Sequence, residues 1–113
     1  MLSKLNRLSK KKDFDRIFRQ GKGIRHEGLL AKIWYQDIQC SRFGIVVSKK
    51  IAKKAVVRNR IRRLISQALQ KRLKRMAKHA DIILVVLPGS DFSELRHAEE
   101  AVEQIFKKAG LFA

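Results

Sequence analysis

The side chains with the clearest chemistry in this sequence are cationic, and they are concentrated in one segment. Residues 47–63 read VSKKIAKKAVVRNRIRR and contain eight Lys or Arg residues and no acid. The Arg guanidinium is a planar fork that can hold a phosphate through two hydrogen bonds, whereas the Lys ammonium acts as a point charge. Asn59 can donate and accept, so it can orient the arginines or meet a ribose hydroxyl or a base edge. This chemistry is suited to binding a polyanion.

A helical periodicity runs through the same segment. From about Lys54 onward, the apolar side chains recur at the spacing of one helix face, as Val57, Ile61, Leu64, Ile65 and Ala68. Arginines fill the remaining arc, and Arg58 and Arg62 stand one turn apart. Like charges at that spacing destabilise an isolated helix by about 0.2–0.5 kcal/mol per pair, so the pattern favours a helix that meets a dense anion. We expect the helix to run to about Lys78.

The charge of the whole chain favours the same class of partner. The 113 residues include 27 Lys or Arg and 10 Asp or Glu, for a formal net charge of +17. The two signs are segregated, because residues 1–79 hold 24 basic and 4 acidic residues while residues 81–113 hold 3 and 6. An ordinary soluble surface intersperses them. A field this strong and uneven favours nucleic acid over a small-molecule substrate.

Residues that could carry out catalysis are sparse. His26, His79 and His97 are scattered, without the carboxylate or cysteine spacing of a metal site. Asp13 and Asp15 are two residues apart, so on a helix they point in different directions. The sequence has no phosphate-binding glycine loop and no nucleophile elbow. It therefore favours a binding protein over an autonomous nuclease.

Aromatic residues beside cations form a second candidate site. Phe14 and Phe18 are four residues apart on a predicted helix that ends near Gln20, and Trp34 shares a predicted strand face with Lys32. Aromatic rings next to Lys and Arg are a platform on which unpaired bases can stack. The alternative for Phe14 and Phe18 is packing in the core.

The remaining pattern predicts the elements that position these residues. A short strand is expected near Ile24. Alternating residues at 29–35 and 42–48 predict two strands joined as an antiparallel hairpin, and the run DIILVVL at 81–87 predicts a strand buried on both faces. A final amphipathic helix follows.

This order predicts an α+β fold in a single RNA-binding domain spanning residues 1–113. We expect a two-layer α/β sandwich with a sheet of about four strands and three helices. Residues 1–9 form a basic arm in which Leu2, Leu5 and Leu8 pack back.

The single cysteine, Cys40, excludes an internal disulfide and suits a reducing cytoplasm. The sequence shows no signal peptide and no apolar stretch of membrane-spanning length. We therefore expect a cytoplasmic protein that does not enter a membrane.

Three segments together resemble a known family. They are VSKK, the following KKAVVRNRIRRLI, and the N-terminal RLSKKKDFDRIFRQGK, and an apolar strand that opens with Asp follows the basic helix. This arrangement resembles the bacterial ribonuclease P protein component over nearly the whole chain.

The resemblance implies a function. Ribonuclease P is a ribonucleoprotein endonuclease that removes the 5′ leader of precursor tRNA, and its large RNA subunit carries the catalytic centre and its Mg²⁺ ions. The small protein docks on that RNA and improves substrate binding and metal affinity. The resemblance also implies a left-handed βαβ crossover at the basic helix, as in some ribosomal-protein domains. We expect the free protein to be a monomer.

The resemblance further implies two binding surfaces. The surface for the catalytic RNA comprises Lys49, Lys50, Lys53, Lys54, Arg58, Asn59, Arg60, Arg62 and Arg63. The surface for the single-stranded leader comprises Phe14, Phe18, Lys32 and Trp34. Family members often have an aromatic residue at the position of Lys32. Either Trp34 replaces that aromatic residue, or Lys32 holds a leader phosphate.

Two alternatives stay open at the level of the sequence. A structural RNA-binding protein of ribosomal type would use the same basic helix without an enzyme partner. An autonomous metal-dependent nuclease would cleave precursor tRNA without RNA.

Overall fold

A computed structural model describes residues 2–35, 40–90 and 92–112 of the chain. Within those residues the elements in chain order are α1 (Lys11–Gln20), β1 (Lys22–His26), β2 (Leu29–Tyr35), β3 (Arg42–Val46), α2 (Ala55–Arg72), β4 (Ala80–Val86) and α3 (Leu95–Ala109). Short 3₁₀ turns lie at Lys4–Asn6 and Leu73–Arg75. The predicted α+β class, with three helices and a four-stranded sheet, is confirmed.

The four strands form one mixed sheet in the order β1-β2-β4-β3. Strand β2 is antiparallel to both β1 and β4, whereas β3 is parallel to β4. The predicted hairpin between β2 and β3 is therefore wrong, because β4 lies between them. Residues 80–84 are fully buried, and a strand that buries both faces is most stable at the centre of the sheet. The predicted turn at 36–41 lies largely outside the described residues.

Helix α2 links the two parallel strands, as parallel neighbours require. It begins at Ala55, close to the predicted start, but the prediction that it runs to about Lys78 is wrong. The α-helix ends at Arg72 and tightens into the 3₁₀ turn. Beyond it, the backbone N–H groups of Ala77 and Lys78 both donate to the carbonyl of Leu111, at 2.7 and 3.3 Å, so tertiary bonds replace the helical ones. The left-handed sense of the crossover stays a prediction.

The two faces of the sheet have separate apolar clusters. Helices α2 and α3 cover one face, where Ile65, Leu69 and Phe106 are fully buried against residues such as Ile82. Helix α1 crosses the other face, where Ile17 packs with Leu8 and Ile83. None of the helices in the described residues is long and apolar enough to span a membrane.

The N-terminal segment covers the edge of β3. Arg7 forms a parallel bridge with Phe43, and the Leu8 N–H donates to the Phe43 carbonyl at 2.9 Å. Leu2 and Leu8 are buried as predicted. Leu5 is 76% exposed, so the prediction that it packs back is wrong. Its position in the 3₁₀ turn directs it away from the sheet.

Candidate nucleic-acid interface

The predicted cations converge on one surface, which we call the basic ridge: Lys49, Lys50, Lys53, Lys54, Arg58, Asn59, Arg60, Arg62 and Arg63. The lysines lie in the loop between β3 and α2, and the other members occupy the first half of α2. The first turn of α2 carries no acid. Free backbone N–H groups and the positive end of the helix dipole also lie there, so the helix itself favours an anion at this end.

Most of the basic ridge is accessible to a partner. The four lysines, Asn59, Arg60 and Arg63 are exposed, and Arg58 and Arg62 are partly buried. In the described part of the chain, no carboxylate forms an ion pair with any of these residues. The positive charge of the ridge is therefore uncompensated within those residues and is available to an external anion.

Not every arginine of the ridge has the same role. Arg58 turns back along the chain, and its Nη1 donates to the carbonyls of Ala52 and Lys53 at 3.0 and 2.8 Å. Those bonds tie the lysine-bearing loop to the helix. Arg63, in contrast, contacts no protein acceptor among the described residues.

Two further bonds fix the middle of the ridge. The Arg62 Nη1 donates to Asn59 Oδ1 at 2.8 Å, so the asparagine orients an arginine one turn away. Arg60 donates to the Ser93 carbonyl at 3.2 Å, which links the ridge to the segment that precedes α3. Asn59 therefore orients Arg62, which is one of the roles that the sequence allowed for it.

The cations in the second half of α2, Lys71 and Arg72, have carboxylate partners in α3, and so does Arg75 in the 3₁₀ turn that follows. Arg72 and Arg75 both bond to Glu103 of α3, at 2.8 Å in each case, and Lys71 approaches Glu99 at 3.4 Å. The hydrogen bond from Arg75, followed by that from Arg72, lowers the pKa of Glu103, and Glu103 raises the pKa of Arg75 in return. The basic ridge thus ends where α3 begins to supply carboxylates.

Val57 deviates from the predicted apolar face of α2. Its side chain is 40% exposed, because a cavity of about 200 Å³ lies between it, Ile61 and Phe92. From Ile65 onward the predicted face is buried, as expected.

The predicted aromatic site lies on the face of the sheet that α1 crosses. Ile17 faces the sheet and is fully buried. At about 100° per residue, Phe14 and Phe18 lie on one side of Ile17, and Arg16 and Gln20 lie on the other. Phe18 is 42% exposed, whereas Phe14 is partly buried against the sheet. Phe14 therefore packs against the sheet, whereas the ring of Phe18 stays exposed to solvent.

An open row of the sheet lies on the phenylalanine side of α1. The strand register aligns Arg25 of β1, Leu30 of β2, Val85 of β4 and Val46 of β3 across the sheet, and none of the four is fully buried. We call this row, with Phe14, Phe18 and Lys32, the aromatic groove. Lys32 is one row nearer α1 and reaches over Gly23, since a Cβ on that glycine would lie 3.6 Å from Lys32 Nζ.

Trp34 does not share this groove. Its row contains Asp81 and Arg42, at the opposite side of α1. The guanidinium of Arg16 lies over the Trp34 ring, with 5.8 Å from Cζ to the ring centroid. The helix thus separates Trp34 from Phe14 and Phe18, while Lys32 extends toward β1 and Phe14 lies over β3. The binding of a leader phosphate by Lys32 stays a prediction.

The groove and the ridge meet at the edge of β3. A cavity of about 200 Å³ is lined there by Phe14 of α1, Gly44 of β3, and Arg62 and Ser66 of α2. Leu2 and Leu8 of the N-terminal segment close its outer side. One cavity is therefore lined by residues of both the ridge and the groove.

One partly buried ion-pair network has no counterpart in the sequence prediction. Asp81 is fully buried, and Arg42 donates to it in a bidentate way, with 2.8 Å from Nε to Oδ1. The hydrogen bond with Asp81 raises the pKa of Arg42. Arg42 Nη1 also lies 4.0 Å from Asp13 of α1, so the network anchors that helix to the sheet. The sequence feature that pointed to this network is Asp81, an acid at the start of an otherwise apolar strand.

Residues 2–35, 40–90 and 92–112 contain no group of three or more His, Cys, Asp or Glu side chains placed to hold a metal ion. A mixed sheet that bears an uncompensated cationic helix beside an aromatic groove is typical of the class of small nucleic-acid-binding proteins. The chain belongs to the ribonuclease P protein family, because the family model described as Ribonuclease P matches residues 2–110.

Individual relatives agree with this family. The chain is 37% identical over 112 residues to the ribonuclease P protein component of Synechocystis sp., covering 97% of this chain and 90% of that protein. It is 35% identical over 113 residues to that of Bacillus velezensis, covering 98% and 95%. The structure of the Staphylococcus aureus RNase P protein superposes with a TM-score of 0.84 at 27% identity, over 96% of this chain and 98% of that one.

Membership of the family carries a function. The chain is a protein subunit of ribonuclease P, an endoribonuclease of tRNA processing, and it associates with the RNA subunit of that enzyme. The ribosomal-type protein without an enzyme partner, left open by the sequence, is thereby set aside.

Proposed function

We propose that the basic ridge is the surface by which this subunit binds the catalytic RNA. The proposal rests on one contrast. In the described part of the chain the ridge has no carboxylate partners, whereas the cations in the second half of α2 pair with Glu99 and Glu103. A helix that uses its cations for folding has partners such as these. The free cations of the ridge fit the spaced phosphates of a folded RNA.

The aromatic groove is the second part of the proposal, and its ligand is the single-stranded 5′ leader of precursor tRNA. Phe18 offers an exposed ring for a base, Lys32 and Arg25 offer cations for phosphates, and the floor between them is apolar. A groove with stacking and charge but few base-edge donors favours an unpaired strand over a duplex. Phe14 of the groove and Arg62 of the ridge line one cavity at the edge of β3, so the leader would lie near the catalytic RNA.

The chemistry of cleavage belongs to the RNA subunit in this proposal, and that RNA holds the Mg²⁺ ions. The protein contributes positive charge, which lowers the repulsion between the RNA phosphates and raises the affinity of the complex for substrate and metal. The subunit acts as a monomer in the cytoplasm.

Reconstitution tests the proposal directly. A bacterial ribonuclease P RNA is assayed for cleavage of precursor tRNA at low Mg²⁺, with and without the chain. We expect the chain to lower the Mg²⁺ concentration needed for cleavage, and a Lys53→Ala/Arg63→Ala variant to lose much of this effect.

Arg96→Ala is the matched control, since Arg96 is exposed on α3 and pairs with Glu94, outside the ridge. A chain that leaves the Mg²⁺ requirement of the RNA unchanged, or a control that fails as badly as the ridge variant, would contradict the proposal. Cleavage of precursor tRNA by the protein alone would support the autonomous nuclease instead.

A further inference from the structure

Trp34 and Arg16 form an aromatic–cation surface on the flank of α1 that faces away from the aromatic groove. Arg16 Cζ lies 5.8 Å from the ring centroid of Trp34, and Arg16 Nη2 lies 3.4 Å from Asp13 Oδ1, so the guanidinium is held in place over the ring. We propose that this flank is a second binding site, which takes one unpaired ribonucleotide. The proposal rests on the RNA-binding function argued above and adds a contact to it.

The flank has room for such a ligand. A cavity of about 280 Å³ is lined by Gln20, Lys22, Ile33, Trp34 and Tyr35, where the turn after α1 passes the end of β2. Trp34 is only partly buried, and Tyr35 is 42% exposed. A planar group can therefore enter the cavity and contact the indole.

The lining fits the three parts of a nucleotide. The indole offers a face for base stacking, which is tolerant of base identity. Lys22 is exposed and has no acceptor among the described residues, so its ammonium is available to a phosphate. The Gln20 side-chain amide can both donate and accept at a base edge or a ribose hydroxyl. Among the described residues, no acid lines the cavity, so none of them repels a phosphate there.

Helix α1 makes this site distinct from the aromatic groove. Ile17 is fully buried between α1 and the sheet, so the helix lies directly on the sheet. Phe18 projects from one side of the helix, and Trp34 lies on the other side. A single nucleotide cannot contact both rings. The strand bound at Trp34 is therefore either a separate part of the leader or an unpaired nucleotide of the catalytic RNA.

Intrinsic fluorescence is a direct probe, because Trp34 is the single tryptophan of the chain. The full chain is titrated with a short oligoadenylate and, in parallel, with an abasic ribose-phosphate oligomer of equal length. We expect the oligoadenylate to quench the tryptophan emission and the abasic oligomer to leave it largely unchanged. Phe18→Ala should retain the quenching. Equal responses to both oligomers, no response to either, or loss of quenching in Phe18→Ala would each overturn the proposal.

A second variant identifies the source of the nucleotide. Trp34→Leu keeps an apolar side chain for packing and removes the stacking face. We expect a loss of about 5–150-fold in affinity for one partner, the range expected when a stacked base is lost.

The loss falls on binding to the catalytic RNA if that RNA supplies the nucleotide. It falls on the preference for precursor over mature tRNA if the leader supplies it. Unchanged affinity for both partners would overturn the site. The low-Mg²⁺ effect of the wild-type chain tests the proposed function separately, since it does not require Trp34.

Discussion

The ring of Phe14 occupies the space that a side chain on Gly44 would need. A Cβ built on Gly44 would lie 2.5 Å from the Phe14 Cζ and 2.6 Å from its Cε1, both far inside van der Waals contact. The glycine therefore lets α1 approach β3 closely, and both residues line the cavity at the edge of β3.

Gly44→Ala should displace Phe14 and loosen α1. Overpacking of this kind costs about 1–3 kcal/mol of stability, and we expect a loss of that size in the free energy of unfolding by urea. Leader affinity should fall with it. Gly23→Ala is the control on the same face, because its Cβ would meet only the Lys32 side chain at an ordinary distance of 3.6 Å. Equal stability of the two variants would refute the contact.

Arg58→Ala and Arg63→Ala should differ, although each removes one charge from the ridge. Arg58 bonds to two loop carbonyls, so its loss should lower the free energy of unfolding by about 1 kcal/mol and weaken RNA binding by releasing the lysine loop. Arg63 has no such bonds. Its loss should leave stability within about 0.5 kcal/mol of the wild type and lower the salt slope of RNA binding by about 1.

Urea unfolding and salt titrations of both variants provide this comparison. Arg58→Lys should not restore stability, since one ammonium cannot reproduce the two-acceptor geometry of the guanidinium. Equal free energies of unfolding for Arg58→Ala and Arg63→Ala would show that the hydrogen bonds of Arg58 do not stabilise the loop.

Lowering the pH should weaken the ion pairs that Glu103 of α3 forms with Arg72 and Arg75. The arginine bonds lower the pKa of Glu103 below its ordinary value of 4.5 in the folded state. A depressed carboxyl pKa stabilises the fold above the unfolded-state pKa, and this stabilisation is lost as the pH falls through the folded-state value. We expect the wild type to lose this contribution below about pH 4.5.

Glu103→Gln should be less stable than the wild type near neutral pH by about 1 kcal/mol, and it should lose less stability on acidification. Thermal unfolding over a pH series measures both. Glu100→Gln removes an exposed carboxylate with no ion pair among the described residues and serves as the control. Parallel pH profiles for Glu103→Gln and the wild type would exclude the proposed contribution.

The basic ridge could be predicted from the sequence because its members are close together along one helix and the loop before it. The spacing of Val57, Ile61 and Ile65 already separates an apolar face from a cationic one. The bonds of Arg58 could not be foreseen in this way. Whether an arginine faces solvent or turns back to a carbonyl depends on the path of the loop, which no periodicity encodes.

The strand order and the aromatic groove depend on long-range packing. Sequence neighbours such as β2 and β3 usually pair, but here β4, which is apolar except for Asp81, lies between them in the interior of the sheet. Trp34 and Lys32 do share a strand face as predicted. They are separated because α1 crosses that face, with Arg16 on the Trp34 side of the helix and Phe18 on the other side. The packing of Ile17 and the Asp13–Arg42 contact fix the position of the helix.

The salt dependence of binding between the chain and a bacterial ribonuclease P RNA tests the central claim, that the ridge is a phosphate-binding surface. With roughly 6–10 phosphate contacts, affinity should fall about 10³–10⁵-fold between 50 and 200 mM salt. An affinity that stays nearly constant across that range would contradict the claim.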